Sequence, residues 1–382
     1  VPEVCFGDIL KSGVIYSEIR SLQWPGGANI LVAIVHFFNG DWRGTLFLNG
    51  ELVSSKIDKT LRAGKVFSVN QITDQMDASR GIHSVYLDDI VIYANDPLVD
   101  LIVKESPSFV LPVFTGNDVT STSLHQRTKY VIDTRDRSLE EIRRISSSAY
   151  NYLLSRRETR LTSISSKAYY KSWANRWWQH WGTYADFFNR YDGCCYLVFS
   201  KATKYVIPRM IKHSVGTDGV MMIPISSNDV PLICLSSLFR IWNEKFNGAK
   251  IGNNKVVVSL TLGDIKNYPK HTIEIANQEL TIKFDKFLAD RGGVTPAMNA
   301  VCDPNNMDPD VVRARELMRE IDKIVIAAYG WTDLELEYGF YDEGIGTRYM
   351  LRKDIRETIL DRLVELNHKI WEEQNKGKEG AK

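Results

Sequence analysis

Apolar residues fall along this chain in two rhythms. Over residues 1 to about 95 they alternate or run in short blocks. Val14 to Ile19 alternate, WPGGAN supplies turn residues, and Ile30 to Phe38 form a near-continuous apolar run. A run of that kind suits a strand buried on both faces. NGDWRGTLFLNGELVSSKI then repeats short strand, Asn-Gly turn, short strand, the pattern of a meander. This stretch is predicted to be β-rich.

Helical spacing takes over further along. DPLVDLIVKESPSFVLPVFTGNDV predicts a short helix, a proline-bounded segment and a loop. SLEEIRRISSSAYNYLLSRRETRL predicts a helix with Ser138 as N-cap, Glu140 and Glu141 in the first turn, and basic later turns. In SWANRWWQHWGTYADFFNR, Trp173, Trp177, Trp181, Tyr184 and Phe188 recur at spacings of four, four, three and four. That is one stripe on a 3.6-residue helix, and so regular a seam is read as core. Base-stacking rings more often sit on loops or exposed strand faces. Trp178 and Phe187 lie off the seam and are expected to be partly exposed. CCYLVFSKATKYVIPRMI resumes strand character up to Pro208. DVPLICLSSLFRIWNEKFNG predicts an amphipathic helix with Leu232, Leu235, Leu238, Phe239 and Trp242 on one face and Gly248 at its end. KVVVSLTLGDIKNYP predicts a strand and a turn. From about 308 the pattern is mostly helical, and the final NKGKEGAK is expected to be disordered. No internal repeat is visible.

Length and composition bound the rest. The 382 residues, 44% hydrophobic and 11% aromatic, call for two or three domains with real cores. There is no apolar run of about 18 residues to span a membrane, no secretory leader is visible, and neither a membrane span nor secretion is expected. The chain begins at Val1 without an initiator Met, which suggests a piece of something longer. Cys5, Cys194, Cys195, Cys234 and Cys302 are odd in number and form no CxxC pair. That argues against a disulfide framework or a structural zinc, fits a reducing compartment, and makes a cytoplasmic location the expectation.

Net charge is only +1, yet it is unevenly spread. Residues 121 to 215 hold 17 Lys and Arg against 7 Asp and Glu, while residues 301 to 382 hold 13 against 18. A basic middle in a neutral chain is what a polyanion-facing surface looks like in one dimension. A solvated basic face with no partner would look the same.

Familiar chemistry is missing. No phosphate-cradling glycine loop, HExxH, CxxC or calcium loop occurs. The seven histidines are scattered, with no two at i, i+4. DPNNMDPD (303–310) resembles a carboxylate cluster, but Asp308 as a helix N-cap before Pro309 explains it more simply. No metal site and no catalysis by this chain alone are expected.

Several segments, taken in order, resemble the C-terminal half of MmeI-like adenine-N6 DNA methyltransferases. That family includes fused restriction–modification enzymes and the methylases of the BREX and DISARM phage-defence systems. GVIYSEIRSLQWPGGANILVAIVHF is similar to the last strand pair of the methylase fold, with its W-P-G-x-A-N segment. GDWRGTLFLNGELVSSKI is similar to an LDG-x-x-V-x-x-I connection, and VLPVFTGNDV with KYVIDTRDRSLEEIRR to the P-x-x-x-G-x-D and V-I-D-F segments. WANRWWQH resembles the K-x-x-WW helix, SKATKY an S-R-x-S-K-H strand, and LSSLFRIWNEKF the S-x-x-H-x-x-W helix, with Phe239 where a His is common. DIKNYPK stands for D-x-F-x-T-F-P-F-P without its usual aromatics. MREIDKIVIAAYGWTDLELEYGF through GTRYMLRKDIRETILDRLVELNHKIWEEQ is the nearest match.

The resemblance implies an α+β chain. Residues 1–95 would be the β-rich edge of a methylase sheet, 96–275 a mixed α/β target-recognition domain, 276–374 a helical domain, and 375–382 a disordered tail. The family's S-adenosylmethionine loop and its Asn-Pro-Pro-aromatic tetrapeptide are absent from this sequence. No catalytic or cofactor residue carries over, and S-adenosylmethionine would serve only the intact parent enzyme. The implied partners are double-stranded DNA and a methylase domain or subunit. Arg176, Lys201, Lys204, Arg209 and Lys212 are the expected phosphate clamps. In relatives the loop before the last recognition strand reads bases. Here it is GAKIGNNKV, so Lys250, Asn253, Asn254 and Lys255 are the candidates, Asn suiting adenine and Lys guanine. Two other readings stay open: a protein-interaction module of a defence complex, or the specificity part of a split methyltransferase acting in trans.

Overall fold

The computed structural model describes residues 10–23, 31–54, 56–57, 79–83, 87, 89–121, 126–165, 173–179, 185–201, 203–225, 230–247, 270–342 and 346–376. The chain forms two compact units. One comprises Val1–Val69 with Asp342–Gly346, the other Asn70–Tyr341 with Thr347–Lys382. The contacts therefore group strand residues 79–93 with the second unit.

The first unit is built on strands β1 (Gly13–Gln23), β2 (Leu31–Asn39), β3 (Leu46–Leu48) and β4 (Glu51–Val53), in the order β2-β1-β3-β4. β1 and β2 are antiparallel from Gly13↔Asn39 to Gln23↔Leu31, with irregularities after Ile15 and Ile19. The WPGGAN turn lies outside the described residues. β3 runs parallel to β1, so this is not a simple meander. Asn49 and Gly50 join β3 to β4 with φ of 52° and 83°, the doubly positive pair that a tight hairpin turn needs. The Ile30–Phe38 run does not become a strand buried on both faces. Among the described residues β2 is an edge strand, and Ile34, Phe37 and Phe38 remain exposed on it.

The second unit contains β5 (Ser79–Arg80), β6 (Ile92–Tyr93), β7 (Val110–Phe114), β8 (Lys129–Ile132), β9 (Cys195–Ser200), β10 (Arg209–Lys212), β11 (Val215–Gly216) and β12 (Val220–Pro224). They make two sheets, β10-β9-β12-β5 and β11-β7-β8-β6. One core takes side chains from both: Leu111, Val113, Phe114 and Val131 with Tyr196, Val198, Ile211, Val220 and Met222. β7 falls where the sequence predicts only a proline-bounded segment. A proline is normally excluded from an inner strand because it cannot donate to the ladder. Here β11 pairs only with Val113 and Phe114, so the missing N–H of Pro112 breaks no bond to it.

A second core, with Ile92, Ile102, Val110, Ile132, Ile142, Leu153 and Ile164, packs helices Pro97–Glu105, Leu139–Ile145, Ser147–Ser155 and Arg157–Ser165 against β6, β7 and β8. Ser138 caps as expected, in a reciprocal box with Glu141. The single helix predicted after it is three. Ser146 is extended (φ −149°, ψ 113°) and caps the next helix through Ala149 N–H. The Glu105 carboxylate then accepts from the Ser146, Ser147 and Ser148 hydroxyls and from Ser148 N–H. Serines in a row offer the backbone a capped start where a continued helix was possible.

The remaining helices are Val230–Leu235, Ser237–Asn247, Lys270–Asp290, Val294–Cys302, Pro309–Ala328 and Lys353–Asn375, with a two-stranded sheet of β13 (Tyr338–Asp342) and β14 (Thr347–Leu351). The predicted 230–247 helix is broken at Ser236, yet Leu232, Leu235, Leu238, Phe239 and Trp242 are all buried. Asp308 sits at an N-cap position but does not cap with its side chain, which instead accepts from Arg291 Nη2 at 3.0 Å. The fold class is α+β.

The aromatic stretch is core, though not one helix. Trp173–Arg176 is a 3₁₀ turn, and Ala185–Arg190 is helical. Trp177 belongs to the second core and Phe188 to the first. Trp178 is half-buried, with its indole N–H on Arg137 O at 2.9 Å. Phe187, expected to be partly exposed, is buried with Phe188. Trp181 and Tyr184 lie outside the described residues.

Candidate nucleic-acid interface

The expected phosphate clamps start from the sheet β10-β9-β12-β5. Lys201 follows β9. Its N–H bonds Gly219 O at 2.9 Å and its Nζ bonds Asp218 O, tying the loop after β9 to the turn before β12. Burial pushes the Lys201 pKa down, and Arg80 adds to the effect. The ammonium is half-buried, with an exposed arginine close by.

Lys204 is exposed. Its Nζ donates to Asn299 Oδ1 at 2.7 Å and lies 5.2 Å from the centre of the Tyr205 ring. Arg209 and Lys212 sit on β10, whose side chains alternate inward and outward. Three positions apart on a strand means opposite faces. Lys212 is exposed opposite Cys195. Arg209 is buried and ion-paired with Asp285, with a further contact to Ser121 O. An arginine enclosed in this way does not present its fork to a surface ligand, so Arg209 is a structural cation. Arg176 is exposed on the 3₁₀ turn, its guanidinium 4.8 Å over Trp173. The indole thus serves as core wall and as a rest for a surface cation. Lys250, Asn253, Asn254 and Lys255 lie outside the described residues.

Other cations of the basic segment are held internally. Arg135 faces Asp133 at 2.6 Å and Asp192 at 3.0 Å, and Arg137 faces Asp133 at 3.1 Å. Arg160 is buried, with Nε on Trp177 O at 3.2 Å and Asp89 at 3.6 Å. Arg348 on β14 is not among the sequence-predicted cations. Its guanidinium stands 4.7 Å over the same Tyr205 ring that Lys204 faces. Nothing local marks it, since it lies in the acidic third of the chain.

Among the described residues no three His, Cys, Asp or Glu side chains gather to hold a metal ion, and no helix is long and apolar enough to cross a membrane. Of the expected clamps, Arg176, Lys204 and Lys212 are exposed, Lys201 is half-buried and Arg209 is buried.

No family model matches the chain, and no curated relative matches it in sequence. In fold it is similar to the Type IIL restriction-modification enzyme MmeI, solved in complex with DNA, at 13% identity and a TM-score of 0.64. The likeness covers 97% of this chain and 48% of MmeI, so the chain spans about half the length of that enzyme and shares its fold over that span.

Proposed function

We propose that this chain is the double-stranded DNA recognition part of a restriction-modification type adenine-N6 methyltransferase. S-adenosylmethionine binding and methyl transfer would be supplied by a catalytic half outside this sequence. The observation that carries the reading is the fold likeness to MmeI, a DNA-bound enzyme, along nearly the whole chain. Exposed Arg176, Lys204 and Lys212, with half-buried Lys201, supply phosphate contacts. Lys250, Asn253, Asn254 and Lys255 are proposed to read base edges. The exposed apolar side chains of edge strand β2 support a sheet that is covered by further protein. The division of labour has a physical reason. Extruding a base costs a few kcal/mol, and a separate surface gripping phosphates can supply that energy while it selects the site.

Titrating a labelled duplex at rising salt tests this. Four phosphate contacts give a log–log salt slope of about −3.6 or steeper. Duplex affinity no better than that for an acidic polypeptide sinks the reading in favour of a protein partner. Incubation of the chain with labelled S-adenosylmethionine and duplex should transfer no methyl group. Turnover would overturn the assignment of chemistry to a separate half.

A further inference from the structure

Tyr205 stands where three parts of the second unit meet: the loop after β9, the helix Val294–Cys302 and strand β14. Its ring is buried, and its hydroxyl donates to Asn299 Oδ1 at 2.9 Å. The same oxygen accepts from Lys204 Nζ at 2.7 Å. A lysine ammonium has no acceptor, so the Asn299 carboxamide must turn its oxygen toward Lys204. Its NH2 group is thereby left as the donating end of an exposed side chain. Burial pushes the Tyr205 hydroxyl up to about 12, with a contribution from Cys302, so it stays a protonated donor at working pH. Arg348 completes the group. It is half-buried, braced on Thr347 O at 3.1 Å, and its guanidinium lies 4.7 Å over the Tyr205 ring.

The result is an ammonium and a guanidinium against one aromatic ring, with an amide on the ring's hydroxyl, all from positions far apart in sequence. All three are donors, two are cationic, and the acceptor atom among them is already occupied by internal donors. Such a surface matches an anion with several acceptor oxygens. Ring stacking also holds the two long cationic side chains in place, which lowers the entropy lost when they grip a ligand.

We propose that Lys204, Asn299 and Arg348 form a backbone-phosphate subsite that extends the DNA-binding surface onto strand β14. The inference rests on the DNA-recognition reading above. It adds to that reading a contact from the acidic C-terminal third of the chain. Phosphate contacts position the duplex without reading sequence, so the subsite acts on any duplex and needs no knowledge of the recognised site.

The test measures binding of a labelled mixed-sequence duplex by fluorescence anisotropy across salt for the whole chain and its variants. Losing one phosphate contact removes about 0.9 from the salt slope. Between about 50 and 200 mM salt, Arg348→Ala should therefore lose about 3.5-fold less affinity than the parent chain. Arg348→Lys keeps the charge and should keep the slope, with weaker binding from the loss of a planar fork. Arg313→Ala removes an exposed arginine that faces Glu316 and Glu320, and should leave the slope unchanged. Asn299→Asp, at an exposed position, sets a carboxylate beside Lys204 and should weaken binding even if Arg348→Ala fails to fold. Parental slopes in both Arg348→Ala and Asn299→Asp overturn the subsite and leave the recognition reading standing. A parent chain that does not bind duplex overturns both.

Discussion

Removing either partner of the Arg209–Asp285 pair should have unequal consequences, because the two side chains differ in exposure. That of Arg209 is 0% exposed and that of Asp285 is 26% exposed. Asp285→Ala removes the carboxylate that faces a guanidinium enclosed in protein. Removing the carboxylate of a buried pair costs about 3–5 kcal/mol when the charge left behind is the enclosed one. Arg209→Met keeps much of the aliphatic volume, and the carboxylate it leaves behind is already part-solvated, so the expected loss is only about 1–2 kcal/mol. Urea unfolding followed by tryptophan fluorescence reads the difference. With a denaturant slope of about 1–3 kcal/mol per molar, a gap of about 2 kcal/mol separates the midpoints by roughly 1 M. Equal midpoints, or a lower one for Arg209→Met, would refute the exposure argument. The same variant tests the demotion of Arg209 from the DNA surface. Folded Arg209→Met should keep the parental salt slope, and a loss of about 0.9 would return Arg209 to the set of phosphate contacts.

Two further outcomes follow from buried or capping carboxylates. The Ser146 hydroxyl, with Ser148 and Ser147, holds Glu105 down to about 2 from its ordinary carboxylate value. A depressed carboxylate stabilises the fold above its unfolded pKa and loses that effect as pH falls through the folded value. Acid unfolding of the parent should thus be steeper between about pH 4.5 and 2 than that of Glu105→Gln, and identical curves would refute the cap. In the helical part, buried Asp322 accepts from Ser237 N–H at 2.7 Å and from the Tyr338 hydroxyl. Asp322→Ala removes the acceptor of the Ser237 N–H and leaves the Tyr338 hydroxyl a longer contact with Ser237 Oγ at 3.4 Å; the expected cost is about 2–4 kcal/mol by chemical denaturation, and a loss under about 1 kcal/mol contradicts it.

What the sequence revealed depended on whether the deciding partner was nearby in the chain. The Ser138–Glu141 box is complete within four residues and was readable. So were the buried positions of the 230–247 stretch, since their spacing depends only on helical period. The break at Ser146 was not, because it is fixed by Glu105, some forty residues away. Pro112 argued against a strand until the short reach of β11 was known. The apolar run of β2 reads the same for an inner strand or an edge strand, and only the sheet order tells them apart. Phe187 lies off the aromatic seam, but the seam is not a continuous helix, so its position on an ideal wheel carried no information.

The candidate site shows the same limit in electrostatic form. A window count credits residues 121–215 with their own acids and ignores all others. Arg160 and Arg209 look uncompensated in that count, yet their carboxylates, Asp89 and Asp285, lie outside the window. Conversely, Arg348 sits in a net-acidic window but lies against the same Tyr205 ring as Lys204. What governs counterion release is which cations keep a solvent-facing end. On β10 strand parity decides it, turning Arg209 inward and Lys212 outward. A basic segment therefore indicates that a polyanion surface can exist, and the backbone alternation and long-range pairing determine which of its cations build one.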